Sequence, residues 1–399
     1  MKKFYCLLTI FLFAFPVFLI TGCAGNSGDL NAKSGQGGYT MPKDEFNYQQ
    51  LWKEVEDFNR ENFQFKKGIA VMPICFGISF TNTFLNQASA LVHIYTDGSV
   101  GVSTAAVEMG QGINEKIKIA VSKTLSVSKD RIKIETTNTT RTANTSATAA
   151  SSGADLNGNA AILASKNILE RLQKVAAEEL NVDNISDLEL KDEVIFHQGI
   201  KSNLVWNDII RIAYQKRISL SSQAYYATPN IYFNKETNKG KPFAYHVYGT
   251  GITTVTLDCL RGTYTIDSVK VVHDFGKSLN PAIDLGQAEG GIAQGIGWLT
   301  VEEVVHSDEG KLLSNSLSTY KVPDIYSAPK EIEVAFLEDS ENRYGPFNSK
   351  AIGEPPLMYG IGAYFAILNA MKAFRPEKEF EINAPMTPEK VLMNLYSKI

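Results

Sequence analysis

Apolar residues recur at helical spacing at Phe46, Leu51, Val55 and Phe58, which predicts an amphipathic first helix over about Glu45 to Asn62. The period then drops to two. Ile69 to Thr81 and Ala90 to Ser103 read as strands, and Asp97-Gly98 folds the second stretch into a hairpin. Ile113, Ile117, Val121 and Leu125 restore the helical period on one face, and Ile132 with Ile134 resumes a strand. A strong helix follows from Ile162 to Leu180, with Ile162, Leu169, Leu172 and Val175 as its apolar positions. Asn181 to Asn203 is charged and reads as peripheral, and a short helix is expected around Trp206 to Tyr214. Strands return at Thr250 to Cys259 and Ile266 to Val272, joined by Arg261-Gly262. Ile361 to Phe374 is an apolar helix, and Thr387-Pro388 opens a last short one. Helices and strands alternate irregularly, without an internal repeat, so the fold class is α+β, with mixed sheets and packed helices. The pattern leaves room for two subdomains with a seam between Asn181 and Lys241.

Four stretches break these periods. Glu108-Met109-Gly110-Gln111-Gly112 sets Gln111 in a glycine-flanked turn at a helix start, where free amides can bind an anion and a ligand can approach the backbone closely. Thr136 to Gly158 is so poor in large side chains that it cannot fill a core. It is either a linker or a wall against which something bulky rests, and its direct run into a helix favours the wall. Leu285 to Gly297 is glycine-rich without the dinucleotide fingerprint, and reads as a helix thinned for close packing. Lys350-Ala351-Ile352-Gly353-Glu354-Pro355-Pro356-Leu357 holds one carboxylate between a glycine and two prolines. Pro355 should bias Glu354 away from the helical region, and the arrangement suits either an aimed general base or a helix-start carboxylate that offsets the dipole.

Composition narrows the classes. With Lys+Arg 39 against Asp+Glu 43 and no long basic run, the chain carries no electrostatic footprint for nucleic acid. Lys2 and Lys3 precede an apolar run from Phe4 to Ile20 that Pro16 interrupts, which reads as a signal peptide over residues 1–22. Ile20-Thr21-Gly22-Cys23 resembles the lipobox of bacterial lipoproteins, so Cys23 would carry lipid and the body would sit at a membrane surface outside the cytoplasm; the alternative is an uncleaved anchor. Residues 23–45 read as a flexible linker, leaving 46–399 as the folded domain. Cys75 and Cys259 are then the mature thiols, expected buried and free, with a disulfide between them left open. The histidines show no metal-ligand spacing, so any metal must arrive inside a cofactor.

Read together, the stretches resemble a known family. Phe76 to Thr81, Glu108 to Gly112, Thr148 to Ser151, Leu279 to Gln287, Ser318 to Lys321 and Ser349 to Leu357 occur in the order found in the molybdenum-binding region of xanthine dehydrogenases and aldehyde oxidases. The resemblance covers about the C-terminal half of that region, its second molybdopterin-binding domain, and is closest to the xanthine dehydrogenase type. It implies the molybdenum cofactor, with the metal held by molybdopterin rather than by the protein. It implies that Glu354 is the base, taking the proton from a molybdenum-bound hydroxyl whose oxygen attacks an electron-poor carbon as hydride passes to a sulfido ligand. Met109, Gln111, Ala150, Ser151, Gly153 and Gln287 would contact the cofactor. Phe80, Thr81, Leu85 and Ala149 would form a wall for a flat heteroaromatic substrate, a purine in preference to an aldehyde.

Two departures qualify what is implied. The iron-sulfur and flavin (FAD) domains and the first half of the molybdopterin cradle have no counterpart among these residues, so the resemblance implies a companion subunit with the other half, and further iron-sulfur and flavin subunits. The export signal lacks an arginine pair, whereas folded molybdenum enzymes leave the cytoplasm by the twin-arginine route. That conflict supports a competing reading, a lipoprotein that keeps the fold as a non-catalytic binding or scaffold module.

Overall fold

A helix α1 (Tyr48–Glu61), capped by the Asn47 side chain on the Gln50 amide, leads into the long strand β1 (Phe65–Ile78). The computed structural model describes residues 46–135 and 137–397, so the expected signal peptide, the lipid site at Cys23 and the linker lie outside the described residues. From β1 the chain builds two cores around two mixed sheets.

The first core rests on strands β2 (Gln87–Ile94) and β3 (Val100–Thr104), joined as the Asp97-Gly98 hairpin predicts. Strand β4 (Ile132–Ile134) adds in parallel to β3, and β8 (Ser221–Ala227) adds antiparallel to β2. Helices α2 (Ile113–Leu125) and α3 (Gly153–Leu180) cover this sheet. The expected face of α2, with Ile113, Ile117, Val121 and Leu125, is fully buried, and its apolar area is the main term holding the layer together. Helix α3 begins nine residues before its predicted start. Ala154, Ala160, Ala161 and Ala164 have no apolar bulk to signal a period, yet alanine is the best helix former and lets α2 approach closely. A second correction concerns residues 181–203. They form an antiparallel sheet of β5 (Leu188–Lys191), β6 (Val194–His197) and β7 (Ile200–Val205), and Leu188, Leu190, Ile195 and Leu204 are buried in the first core beneath helix α4 (Trp206–Gln215). In β5 Glu189 and Lys191 alternate with the buried Leu188 and Leu190, a period of two too short to stand out, and β6 and β7 bury one apolar residue each.

A small ribbon of β9 (Tyr232–Asn234) and β10 (Lys239–Lys241) carries the chain to the second sheet, ordered β1, β11 (Tyr245–Asp258), β12 (Tyr264–His273) and β13 (Glu331–Phe336). Helices α5 (Pro281–Thr300), α6 (Ile361–Phe374) and α7 (Pro388–Tyr396) pack on it, α7 with Thr387 as cap and Pro388 at its first position. Cys259 is buried in this core, with its thiol pushed up to about 11 by burial, while Cys75 on β1 is exposed; both are free. Burial of Cys75 fails because it faces outward on β1, next to Ile74, which turns into the core.

The glycines of α5 do thin the helix for packing. A Cβ on Gly295 would lie 2.0 Å from the Leu357 carbonyl oxygen, so the turn following Glu354 lies directly on the helix backbone. Replacing Gly295 with Val should therefore cost about 3 kcal/mol, the upper range for overpacking, read as a shift in the urea midpoint. A loss below about 1 kcal/mol would show that α5 and this turn do not pack together.

Candidate functional site

The two cores meet along a wall made by the entry to α3 and the segment 349–354. The α3 entry is a tight turn in which Ala150 and Ser151 both take left-handed backbone angles, with φ of 53° and 54°. Each costs roughly 1–2 kcal/mol for a residue with a Cβ, and the surroundings hold it there. Thr148 Oγ1 accepts the Val107 amide at 3.0 Å, and the Ser152 amide bonds the Ala149 carbonyl at 3.3 Å. The effect is to turn Ser151 outward so that its Oγ accepts the Glu354 amide at 2.8 Å.

Segment 349–354 has no regular structure and is held residue by residue. The Lys350 amide donates to the Phe275 carbonyl at 3.0 Å, and its buried ammonium pairs with the buried Asp274 carboxylate and lies 3.1 Å from the His246 carbonyl oxygen. The Ala351 amide donates to the Tyr245 hydroxyl at 2.9 Å. Glu354 sits in the helical region, with φ −98° and ψ −38°, contrary to the bias expected from Pro355. A 3-10 turn over Pro355–Gly360 starts immediately, closed by the Leu357 amide on the Glu354 carbonyl at 3.2 Å, and burial of both prolines holds it. The carboxylate is exposed and makes no capping bond of its own.

A cavity of about 240 Å³ opens on this wall. Of the residues expected at the site, Met109, Gln111, Ala149, Ser151, Gly153, Gln287 and Glu354 line it. Ala150 lies in the same turn without lining the cavity. Phe80, Thr81 and Leu85 also fall outside the lining, on the connection from β1 to β2, where Asn86 accepts the Phe80 amide and donates to its carbonyl. Gln111 is folded onto its own loop, its oxygen accepting the Met109 amide at 2.5 Å and its nitrogen donating to the Val107 carbonyl at 2.8 Å. Three of the amides in this turn and at the start of α2 are already taken by a side chain of the chain itself, which narrows the expectation of a free anion site there. The Glu108 carboxylate accepts from Gly110 at 2.9 Å and from Gly112 and Asn114 at 3.0 Å. Partial burial pushes its carboxyl up, but these amides outweigh that and hold it below the usual glutamate range.

Beneath the wall lies a set of buried charges that periodicity and motif spacing did not reveal. Lys116 of α2 lines the cavity and pairs with Asp284 of α5 at 2.8 Å, and Ser278 donates to the other Asp284 oxygen at 2.6 Å. Asp155 of α3 is buried, and desolvation pushes its carboxyl up to about 7 despite the Tyr245 hydroxyl, which donates to it at 2.5 Å, and nearby Lys116. Only a polar residue at a helix start marks Asp155 in the sequence, and that is usually a cap. Among the described residues no cluster of three His, Cys, Asp or Glu could hold a metal ion.

The described wall suits one side of a large, flat, polar group. Its lining mixes small residues, among them Ala149, Ser151, Gly153 and Gly353, with the larger Met109, Ile113 and Ile352, and Gln111, Gln287 and Ser151 are among its polar members. The other side is open. Large apolar residues are also uncovered on the stretch that follows α5, with Leu317 86% and Tyr326 91% exposed and Val304, Val322 and Ile325 exposed on the same stretch. So much uncovered apolar surface in one stretch is typical of an interface.

This architecture recurs in quinoline 2-oxidoreductase from Pseudomonas putida 86, with a TM-score of 0.77 and 22% identity over 90% of this chain and 45% of that one. The fold is therefore that of molybdenum hydroxylase cofactor-binding domains. The chain belongs to the molybdopterin cofactor-binding domain family, whose profile matches residues 42–329. It is 41% identical to xanthine dehydrogenase/oxidase of Mus musculus over 367 residues, 89% of this chain and 26% of that protein. Aldehyde oxidase 2 of Mus musculus is 38% identical over 345 residues, 85% of this chain and 24% of that protein. The chain thus spans about a quarter of the length of these relatives.

Glu108 supplies the check on the cavity's edge. Glu108→Ala should destabilise the fold by about 1 kcal/mol at neutral pH, as loss of a helix cap does. Because the folded carboxyl is held low, that difference should be full above about pH 5 and vanish as pH falls through the folded value, read as converging denaturation midpoints of the two proteins.

Proposed function

We propose that the chain is the cofactor-binding subunit or fragment of a xanthine dehydrogenase-type molybdenum hydroxylase, acting on a purine or related N-heterocycle, with Glu354 as general base. The observation that carries this reading is the convergence of Glu354, Gln287, Gln111 and Ser151 on one cavity from four separate parts of the chain. Bound molybdopterin with its metal would supply the two-electron oxidation and the transfer of water-derived oxygen to an electron-poor carbon. Gln111, Gln287 and the turn at Ala150, Ser151 and Gly153 would hold the cofactor, Gln111 with the amide hydrogen and lone pair its loop bonds leave over. Glu354 accepts the proton at its carboxylate, steered by the tied amide and the two buried prolines. Ala149 borders the substrate, and Phe80, Thr81 and Leu85 would meet the ring from beyond this wall.

A companion chain carrying the first half of the cradle belongs to the proposal, as do iron-sulfur and flavin subunits to take the electrons. A base works best where water is excluded, and the exposed Glu354 and the uncovered apolar stretch both call for a second wall. The exposure of Glu354 equally favours a second reading, a scaffold that keeps the fold without the chemistry. Lipid attachment at Cys23 is proposed from residues 20–23 alone, and intact-mass measurement of the membrane-extracted protein would test it.

Molybdenum content after co-expression with a complementary cradle fragment separates the two functional readings. The enzyme reading expects about one molybdenum per chain and xanthine oxidation, and Glu354→Gln should lower kcat by about 10²- to 10⁴-fold without loss of metal. Absence of molybdenum in every pairing would leave the scaffold reading standing.

A further inference from the structure

We propose that Tyr245 is a positioning residue for the glutamate segment: its hydroxyl, anchored on the Asp155 carboxylate, holds the Ala351 amide and so sets the course of the chain from Lys350 to Glu354. That Glu354 is a base rests on the function proposed above; the hold itself does not.

The buried Ala351 amide lies in a segment with no helix or strand to satisfy it, and an unpaired amide there would cost as much as a lost hydrogen bond. The Tyr245 hydroxyl is its acceptor, at 2.9 Å, and donates its own hydrogen bond to Asp155 at 2.5 Å. Tyr245 is well placed for this because its backbone is fixed as the first residue of β11, opposite Ile78 of β1. Asp155 stands one turn beyond Ser151, whose Oγ holds the Glu354 amide. The amides on both sides of Ile352-Gly353 are therefore held from the α3 entry, one directly and one through Tyr245. The buried carboxylate of Asp155 neither lines the cavity nor forms the Lys116 ion pair, which Asp284 takes, so its bond to Tyr245 is what it serves.

The charges around this relay are few and known. Asp155 is faced by Tyr245 of β11, Lys116 of α2 and Tyr226 of β8, and Tyr245 is faced in addition by Asp274 and by Lys350, whose ammonium lies 5.9 Å from its ring centre. An ionised Asp155 polarises the phenol and makes its oxygen a better acceptor for Ala351, since hydrogen bonds in a chain strengthen one another. Burial raises Asp155 to about 7, so the local hold should strengthen as pH rises through that value. Global stability should move the other way. A carboxyl whose folded value is raised contributes stability that is full below its unfolded value near 4 and is lost as pH rises towards about 7. A merely structural role would make both readouts fall together.

Hydrogen exchange on the full chain, corrected for intrinsic rates, tests this without any cofactor. In the unaltered protein, protection of the amides over 349–354 should rise several-fold between about pH 6 and about pH 8. Tyr245→Phe should lower Ala351 protection about tenfold at the higher pH and abolish the rise, with amides of α2 unchanged. Asp155→Asn keeps a partner for the phenol, so it should fold and show protection that no longer varies with pH. Ala351 protection within about twofold of the unaltered protein in Tyr245→Phe, or an equal fall across α2, would overturn the proposal. If Tyr245→Phe does not fold, Asp155→Asn decides: a persisting pH rise overturns the hold, and a flat profile supports it. In a molybdenum-loaded assembly Tyr245→Phe should lower kcat about tenfold with KM unchanged, and an unchanged kcat would also overturn it. Failure of the chain to take up molybdenum would defeat the proposed activity and leave the exchange result intact.

Discussion

The buried pairing of Lys350 with Asp274 is the constraint on which the site depends. Two charges taken out of water are costly unless each finds its partner, and removing one of such a pair typically costs about 3–5 kcal/mol. Asp274 follows directly on the end of β12, and its backbone amide is bonded to the Tyr248 carbonyl of β11 at 3.0 Å. Lys350 must therefore come to the sheet, and its ammonium is completed there by the His246 carbonyl. With the chain fixed at that point, Ala351 meets Tyr245, Gly353 passes Ser151, and Glu354 emerges on the open face.

The division into two cores gives this constraint its use. One core, around α2 and α3, delivers Gln111 and the Ala149 to Gly153 turn; the other, around α5 and α6, delivers Gln287 and Glu354. Neither could build the wall alone. The polar groups where they meet are paired off in depth, Lys116 with Asp284 and Asp155 with Tyr245, so the wall has little spare charge below it. The family to which the chain belongs is that of molybdopterin cofactor-binding domains, and the cavity lies on this shared wall.

Much of the fold was legible because it rests on local physics. The helical period of α2, the bounds of α6, the Asp97-Gly98 hairpin, the Thr387-Pro388 helix start and the glycine-thinned α5 each follow from residues within a turn or two of one another. The elements that escaped are those whose signal is diluted. Alanine at the start of α3 carries helix propensity without a period, and β5 to β7 are too short for their buried positions to stand out. The motifs around Glu354, Gln111, Ser151 and Gln287 could be read in order along the chain, and the tertiary structure then brought them to one cavity.

What the sequence determined by itself was most of the helices and the main strands, the family and the residues that carry its motifs. The tertiary structure decided how those residues are held and which of them face one space. Asp274 and Lys350 are 76 positions apart, Tyr245 and Ala351 106, and Ser151 and Glu354 203, and no period or propensity links residues so distant. Glu354 likewise lies in the helical region against the bias of Pro355 and Phe80 stands off the cavity, while Glu108 takes amides of Gln111's turn through local bonds that residue spacing did not show. Local preferences are worth about 1 kcal/mol each, and a buried ion pair or an unsatisfied amide outweighs them.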